Sequence, residues 1–103
     1  MATKKNKGKP SGPSPKKYEF RLLVNGEDIE SVKAHQNLKS IGEAHLKGQY
    51  KIELIDVAND PIAALENNAV VVPMLILMAP TPKVTIIGSL RDTQKVMAAL
   101  RLY

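Results

Sequence analysis

The stretch that most constrains the fold spans residues 70–88. It contains the most apolar run of the chain, three of its seven prolines and a β-branched run that stops at Gly88. We interpret it as two neighbouring antiparallel strands, residues 73–78 and 83–87, joined by a turn at residues 79–82. Strands this apolar are typically central in a sheet and covered on both faces. The rest of the chain should therefore supply the layers that cover them.

Length and composition exclude several classes of protein. The chain has 103 residues and no cysteine, so we expect one domain without disulfide, thiol-redox or cysteine–metal chemistry. It contains no apolar run of about 18 residues, so no membrane span is predicted. The N-terminal lysines are not followed by an apolar stretch, which argues against a secretory signal and favours a cytoplasmic protein.

The basic character of the chain is concentrated at its N-terminus. Residues 1–17 carry six lysines and no acid, whereas the remainder has nine Lys and Arg against ten Asp and Glu. Because proline, glycine and serine are also frequent there, we predict a disordered tail followed by a folded domain at residues 18–103. A solubilising role for the tail is favoured over nucleic-acid binding, since no aromatic residue accompanies the lysines.

Turn and cap signals predict the elements of the domain. Tyr18–Val24 is a strand that enters the core. A helix should start after the N-cap Asp28 and stop at Gly48, and Tyr50–Asp56 alternates as a strand with one apolar face. Two strands joined by a helix of this length form a right-handed βαβ unit, so they are expected to be parallel.

A short helix, the hairpin and a terminal helix complete the order. Asp60 and Pro61 predict an N-cap and a first helical position, and Asp92 caps the last helix. The order β-α-β-α-β-β-α is that of a minimal thioredoxin-like α/β fold with a four-stranded mixed sheet. Its expected strand order is 2-1-3-4, with the first and last helices on one face. The second strand then lies at an edge that can accept a partner strand.

The first helix has a broad apolar side that also carries two histidines. Its small residues, Ser31 and Gly42, allow a close approach to the sheet. His35 and His45 are ten residues apart, which is not the spacing of a helical metal pair, so we interpret them as packing or boundary residues. The larger apolar residues on this side are Val32, Ala34, Leu38, Ile41 and Leu46.

No catalytic or cofactor motif is found. Residues 25–30 occupy the place of the Cys-x-x-Cys motif of redox-active thioredoxins but contain no thiol. Their acids Glu27, Asp28 and Glu30 are interpreted as a capped first turn rather than a metal site. The sequence therefore predicts a binding module without enzymatic activity, cofactor or metal. Val72–Pro73 stands where thioredoxin-like folds often keep a cis proline, and both the cis and the trans form remain open.

Several motifs occur together in a recognisable order along residues 18–103. They are Leu-Leu-Val-Asn-Gly at 22–26, Ser-Val-Lys-Ala at 31–34, Ile-Asp-Val at 55–57, Val-Pro-Met-Leu at 72–75, Ala-Pro-Thr-Pro at 79–82 and Ile-Ile-Gly-Ser-Leu at 86–90. On these motifs the sequence resembles the KaiB family of circadian-clock proteins. The resemblance covers the whole predicted domain and leaves out the tail.

The resemblance implies a partner. KaiB proteins switch between a tetrameric ground state, in which the C-terminal half is wired differently, and a thioredoxin-like monomer that binds the ATPase KaiC. A KaiB-like protein would bind a KaiC-like ATPase and regulate circadian or timing and stress signalling. Docking is expected through the first helix and the second-strand edge, where Lys33, Lys51 and Glu53 are exposed candidates. The alternative is a redox-inactive thioredoxin-like adaptor or sensor domain in two-component signalling, with a histidine kinase as partner.

The sequence departs from the family where the choice between the two folds is made. Ala99 and Arg101 stand where the clock proteins typically carry a glycine and an aspartate in the terminal helix. Pro73 and Gly88 lie in residues 70–88, the beginning of the region whose pairing would change. Alanine favours helix over glycine by about 1 kcal/mol, and a cation in the last turn adds about 0.3–1 kcal/mol. We therefore predict that the thioredoxin-like monomer is the resting state, with the tetramer as the alternative.

Overall fold

The computed structural model describes residues 18–26, 28–69 and 71–102, and the predicted tail at residues 1–17 lies outside them. The elements follow the predicted order with one addition, a π-helical turn after the first helix. The elements are β1 Tyr18–Val24, α1 Ile29–Ile41, the π-helical turn Gly42–Leu46, β2 Tyr50–Asp56, α2 Pro61–Glu66, β3 Met74–Ala79, β4 Val84–Ile87 and α3 Thr93–Leu100.

The four strands form one mixed sheet in the order β2-β1-β3-β4. β1 is parallel to β2, and β3 is antiparallel to both β1 and β4. Leu23 pairs with Met74, which in turn pairs with Ile87. The carboxyl ends of β1 and β4 therefore meet the start of β3 at one end of the sheet. The predicted thioredoxin-like fold class and its strand order are confirmed.

The larger core lies between the sheet and the helices α1 and α3. Phe20, Leu22 and Leu75 from the central strands pack there with Leu38 of α1 and Leu100 of α3. Because α1 and α3 share this core, both helices cover the same face of the sheet, as expected.

The other face has a smaller core of Leu23, Met74 and Ile76. Arg21 projects from this face and donates a hydrogen bond from Nη1 to the Oδ1 of Asn67, 2.8 Å away, just after α2. The short helix α2 therefore lies on the side of the sheet opposite α1 and α3.

Local polar interactions start the three α-helices where the sequence predicts. The carboxylates of Asp28, Asp60 and Asp92 accept hydrogen bonds from backbone N–H groups three residues later. This satisfies donors that have no partner within a helix. After the π-helical turn, Lys47 has φ 50° and Gly48 has φ 80°, so the helical segment ends at Leu46, one residue before the predicted end.

Three sequence-based expectations are corrected. Of the two hairpin strands, only β3 is central in the sheet; β4 lies at an edge, where Thr85 and Ile87 are exposed, so it is not covered on both faces. β3 begins at Met74 and not at Pro73; proline has no N–H for the ladder. His45 is exposed and not at a packed boundary, because the wider π-helical turn rotates residues after Gly42 away from the positions of a regular helix.

The peptide bond Val72–Pro73 is cis, as are Ala79–Pro80 and Thr81–Pro82. Within the described segments, no helix has the length and apolar character needed to cross a membrane.

Candidate functional site

The surface between α1 and the edge strand β2 forms a shallow groove. It has a volume of about 190 Å³ and is walled by the first turns of α1 and the end of β2. Leu54 and Val32 line it and are 48% and 40% exposed. Such exposure of large apolar side chains on neighbouring elements is typical of contact surfaces for other molecules. Val32 was predicted to face the core and instead borders this groove.

The carboxylate of Asp56 holds the backbone beside this groove in place. Its Oδ1 accepts hydrogen bonds from the N–H groups of Gly26 and Ala58, each at 2.9 Å. Its Oδ2 accepts from the Nδ2 of Asn59 at 3.1 Å. The end of β2 is thereby tied to the β1–α1 connection. Hydrogen bonds within the chain therefore hold the backbone of Gly26 at one end of the groove, and in this sense the groove is pre-organised.

The β1–α1 connection is where redox-active thioredoxins carry their thiols. Here the buried Ser31 hydroxyl accepts a hydrogen bond from the N–H of Asn25 at 3.0 Å, and the Ser31 N–H donates to Asp28 at 3.4 Å. These contacts fix the entry to α1. With no cysteine in the chain, this connection has a structural role and no dithiol chemistry.

The predicted partner-binding residues are all exposed, but they do not form one patch. Lys33 lies on α1. Lys51 and Glu53 lie on β2 and alternate with Tyr50 and Ile52, which pack on the α1 side of the sheet. Because side chains of a strand alternate between faces, Lys51 and Glu53 project from the opposite face. Lys33 is therefore separated from them by the sheet.

Glu53 already has a partner inside the molecule. Its Oε1 accepts a hydrogen bond from the Nε of Arg21 at 2.8 Å, and the same guanidinium donates to Asn67. The Asn67 amide in turn donates to the carbonyl of Ala63 in α2 at 2.8 Å. Glu53 thus belongs to a chain of contacts that joins the β2 edge to α2. A ligand that uses this carboxylate must share it with Arg21.

The sequence gives no signal for the contact between β2 and the π-helical turn. The Tyr50 hydroxyl donates a 2.6 Å hydrogen bond to Glu43. This hydrogen bond, partial burial and the negative charge of Glu43 together raise the pKa of Tyr50 above its ordinary value of 10.0. The ring lies against Gly42, where an added Cβ would be 2.6 Å from two ring atoms. The close approach to the sheet that the sequence predicts at Gly42 is therefore a contact with the ring of Tyr50 in β2.

The predicted fold-state residues lie in two places. The Pro73 carbonyl accepts a hydrogen bond from the N–H of Gly88 at 2.9 Å, which links β3 to the end of β4. Ala99 is half-buried inside α3. Arg101 does not lie in the last helical turn but caps it, with a left-handed φ of 57°. Its charge still lies at the helix C-terminus, but its backbone conformation is one that favours glycine.

Metal binding and histidine chemistry gain no support from the geometry. Over residues 18–26, 28–69 and 71–102, no three His, Cys, Asp or Glu side chains are grouped so as to hold a metal ion. His35 borders the α1–β2 groove. Glu27, one of the acids of the predicted first turn, lies outside the described residues.

Fold and site together define a thioredoxin-like domain without redox thiols. The model of the KaiB domain matches residues 21–102, and the chain belongs to the KaiB family of circadian-clock proteins. Circadian clock oscillator protein KaiB of Picosynechococcus sp. is 39% identical over 87 residues, covering 84% of each chain. The KaiB of Synechococcus elongatus is 39% identical over 90 residues, covering 86% of this chain and 88% of that protein.

Solved structures agree on the fold. The N-terminal domain of Synechococcus elongatus SasA superposes with a TM-score of 0.69 at 21% identity, over 91% of both chains. Chloroplastic thioredoxin z also gives a TM-score of 0.69, at 16% identity, over 84% of this chain and 79% of that one. The thioredoxin-like architecture is therefore shared with proteins of low sequence similarity.

Proposed function

We propose that this chain is a non-enzymatic clock-type regulator that binds a KaiC-type ATPase and thereby controls circadian or timing and stress signalling. The observation that carries the proposal is the pre-organised α1–β2 groove in a thiol-free chain of the KaiB family. Binding rather than catalysis suits this surface. It offers apolar side chains and the open backbone edge of β2, and its described lining includes no activated nucleophile.

The β2 edge provides the backbone part of this interaction surface. β1 is its hydrogen-bonded neighbour on one side, and among the described residues no strand pairs with the other side. Lys51 is exposed on this strand and Lys33 on α1. We propose that the two lysines contact a partner surface that reaches around the edge of the sheet, since they project on opposite sides of it.

A pull-down with a purified KaiC-type ATPase, with and without ATP, tests the proposal. The wild-type protein should be retained, and Lys33→Glu and Lys51→Glu should each weaken binding about five-fold, the scale of one exposed ion pair. Glu53→Gln removes the negative charge of this side chain but keeps an oxygen that can accept from Arg21. Weaker binding by this variant would therefore show that the charge of Glu53, and not its contact with Arg21, matters for the partner. Lys95→Glu, which makes the same charge change on α3, is the matched control and should bind normally. Absence of binding under both nucleotide conditions would refute the proposal.

A redox-inactive adaptor or sensor domain in two-component signalling is the second candidate. The superposition on the SasA N-terminal domain supports it at the level of the fold. The same pull-down separates the two candidates if a histidine kinase from the same genome is added as bait. Retention by the kinase alone would favour the adaptor.

A further inference from the structure

The opposite edge of the sheet carries a larger groove, which the proposed function does not use. Its volume is about 390 Å³, and it lies between β4 and α3. The apolar part of its lining comes from both elements and the connection between them. These residues are Ile86, Ile87, Leu90, Val96 and Ala99. Ile86 packs on the α3 face of the sheet, whereas Ile87 pairs with Met74 of the other face. The 57% exposed side chain of Ile87 therefore projects from the face opposite α3.

The backbone of β4 is open on the side of this groove. The Gly88 N–H donates to Pro73 and therefore points toward β3. In an antiparallel pair the direction of these groups alternates along the strand, so Thr85 and Ile87 direct their N–H and C=O groups away from β3. Among the described residues, no further strand pairs with β4. An added strand would find backbone donors and acceptors directly beside an apolar groove.

The lining of the groove has two cations and one acid, and a third cation precedes β4. Lys83 precedes β4, and Arg91 and Lys95 lie on the α3 side. Asp92 is the acid of the lining, and its carboxylate is used as the α3 N-cap, accepting from the Lys95 N–H at 3.2 Å. Arg91 is 3.7 Å from Glu30 and its side chain is 75% exposed. This rim favours a ligand with carboxylates and disfavours the six-lysine tail of the chain itself.

We propose that β4 accepts an extended acidic segment of a partner protein as a fifth strand. On the face of that segment that meets α3, apolar side chains enter the groove and flanking carboxylates meet Arg91 and Lys95. Backbone hydrogen bonds supply affinity, and the groove and its charged rim supply selectivity. Because β2 and β4 are opposite edges, this partner and the proposed ATPase can be bound at the same time.

A synthetic peptide tests the proposal without knowledge of the natural partner. The probe is an acetylated nine-residue peptide whose odd positions, which share one face of a strand, are glutamate at both ends and valine between them, with threonine at the even positions. It is titrated into the full chain labelled with ¹⁵N. Chemical-shift changes and new protection from hydrogen exchange are expected at Thr85 and Ile87, with shifts at Ala99. A probe that is N-methylated at alternate residues should bind at least about ten-fold more weakly, since two or more backbone hydrogen bonds are lost. A probe with lysine in place of glutamate should weaken by a similar factor.

Variants of the protein complete the test. Lys95→Glu should weaken the acidic probe about five-fold or more, because an exposed ion pair is replaced by repulsion. Lys39→Glu makes the same charge change on α1, away from β4, and should have no effect. Shifts that map to β2, insensitivity to N-methylation, or self-association through β4 without peptide would each overturn the proposal. Binding of the KaiC-type ATPase is measured separately and should be unchanged in Lys95→Glu, so the two proposals can fail independently.

Discussion

At the scale of single residues, the contact between Gly42 and Tyr50 gives a sharp expectation. A Cβ on residue 42 would lie 2.6 Å from Cε1 and Cζ of the tyrosine ring. Gly42→Ala should therefore displace the ring and break its hydrogen bond to Glu43. We expect a net loss of about 1–2 kcal/mol in the free energy of unfolding, measured by urea denaturation, although alanine is the better helix former.

The control for this prediction removes the ring. In a Tyr50→Ala background the clash is absent, so Gly42→Ala should increase stability by up to about 1 kcal/mol through helix propensity. The sign of the effect therefore reverses between the two backgrounds. Equal destabilisation in both would show that the tyrosine is not its cause.

Sequence reasoning succeeds at this scale where a residue acts on its near neighbours. The three aspartate caps were predictable because each carboxylate meets an N–H three residues later. Arg21 was not predictable in the same way, since its partners Glu53 and Asn67 are 32 and 46 residues away. Their contact depends on the pairing of β1 with β2 and on the position of α2. The spacing of these residues along the chain therefore does not predict the contact of Arg21 with Glu53 and Asn67.

At the scale of elements, a side-chain hydrogen bond links α1 to the connection between β4 and α3. The Asn37 Nδ2 donates to the carbonyl of the buried Ser89 at 2.8 Å. The next residue, Leu90, is buried with a left-handed φ of 64°. Asn37→Ala should lower stability by about 1–2 kcal/mol, because a carbonyl of this connection loses its partner. Hydrogen exchange measured by mass spectrometry should accelerate in residues 88–92 more than in β1.

The exposed neighbour Gln36 provides the control for Asn37. Gln36→Ala makes a comparable truncation on the same helix without touching Ser89, and should leave exchange in residues 88–92 unchanged. An increase in exchange spread evenly over the whole sheet in Asn37→Ala would contradict a local fastening.

The elements show why periodicity predicts some features and misses others. Strand and helix order followed from alternation, caps and turn residues, all of which are local. The π-helical turn did not, because Gly42–Leu46 carries no distinctive composition and a fixed angle per residue assumes a regular helix. That assumption placed His45 at a packed boundary. The apolar composition of residues 83–87 likewise concealed that β4 is an edge strand, which depends on tertiary arrangement.

At the scale of the whole molecule, the described residues leave both edges of the sheet, β2 and β4, without a further strand partner. The β2 edge joins the α1 groove, and the β4 edge joins a second groove with a basic rim. The family motifs identified the domain, but they did not separate these two surfaces. The prediction of Lys33, Lys51 and Glu53 rests on their exposure on the first helix and the second strand, and neither property specifies which face of the sheet a residue occupies.

We predict that Ala99 and Arg101 set the balance between the two folds that the resemblance to KaiB proteins implies for this chain. Ala99→Gly should weaken α3 by about 1 kcal/mol, and Arg101→Asp should replace a favourable charge at its C-terminus by an unfavourable one, about 0.3–1 kcal/mol each way. Together they should shift the equilibrium by about 1.6–3 kcal/mol, which is roughly 15- to 150-fold, toward the rewired tetramer. Size-exclusion chromatography with light scattering and circular dichroism would measure this shift.

Ala98→Gly, which weakens α3 at an exposed neighbouring position, is the control for helix propensity alone. Loss of α3 without a tetramer in the double variant would contradict the assignment of these residues as determinants of the fold.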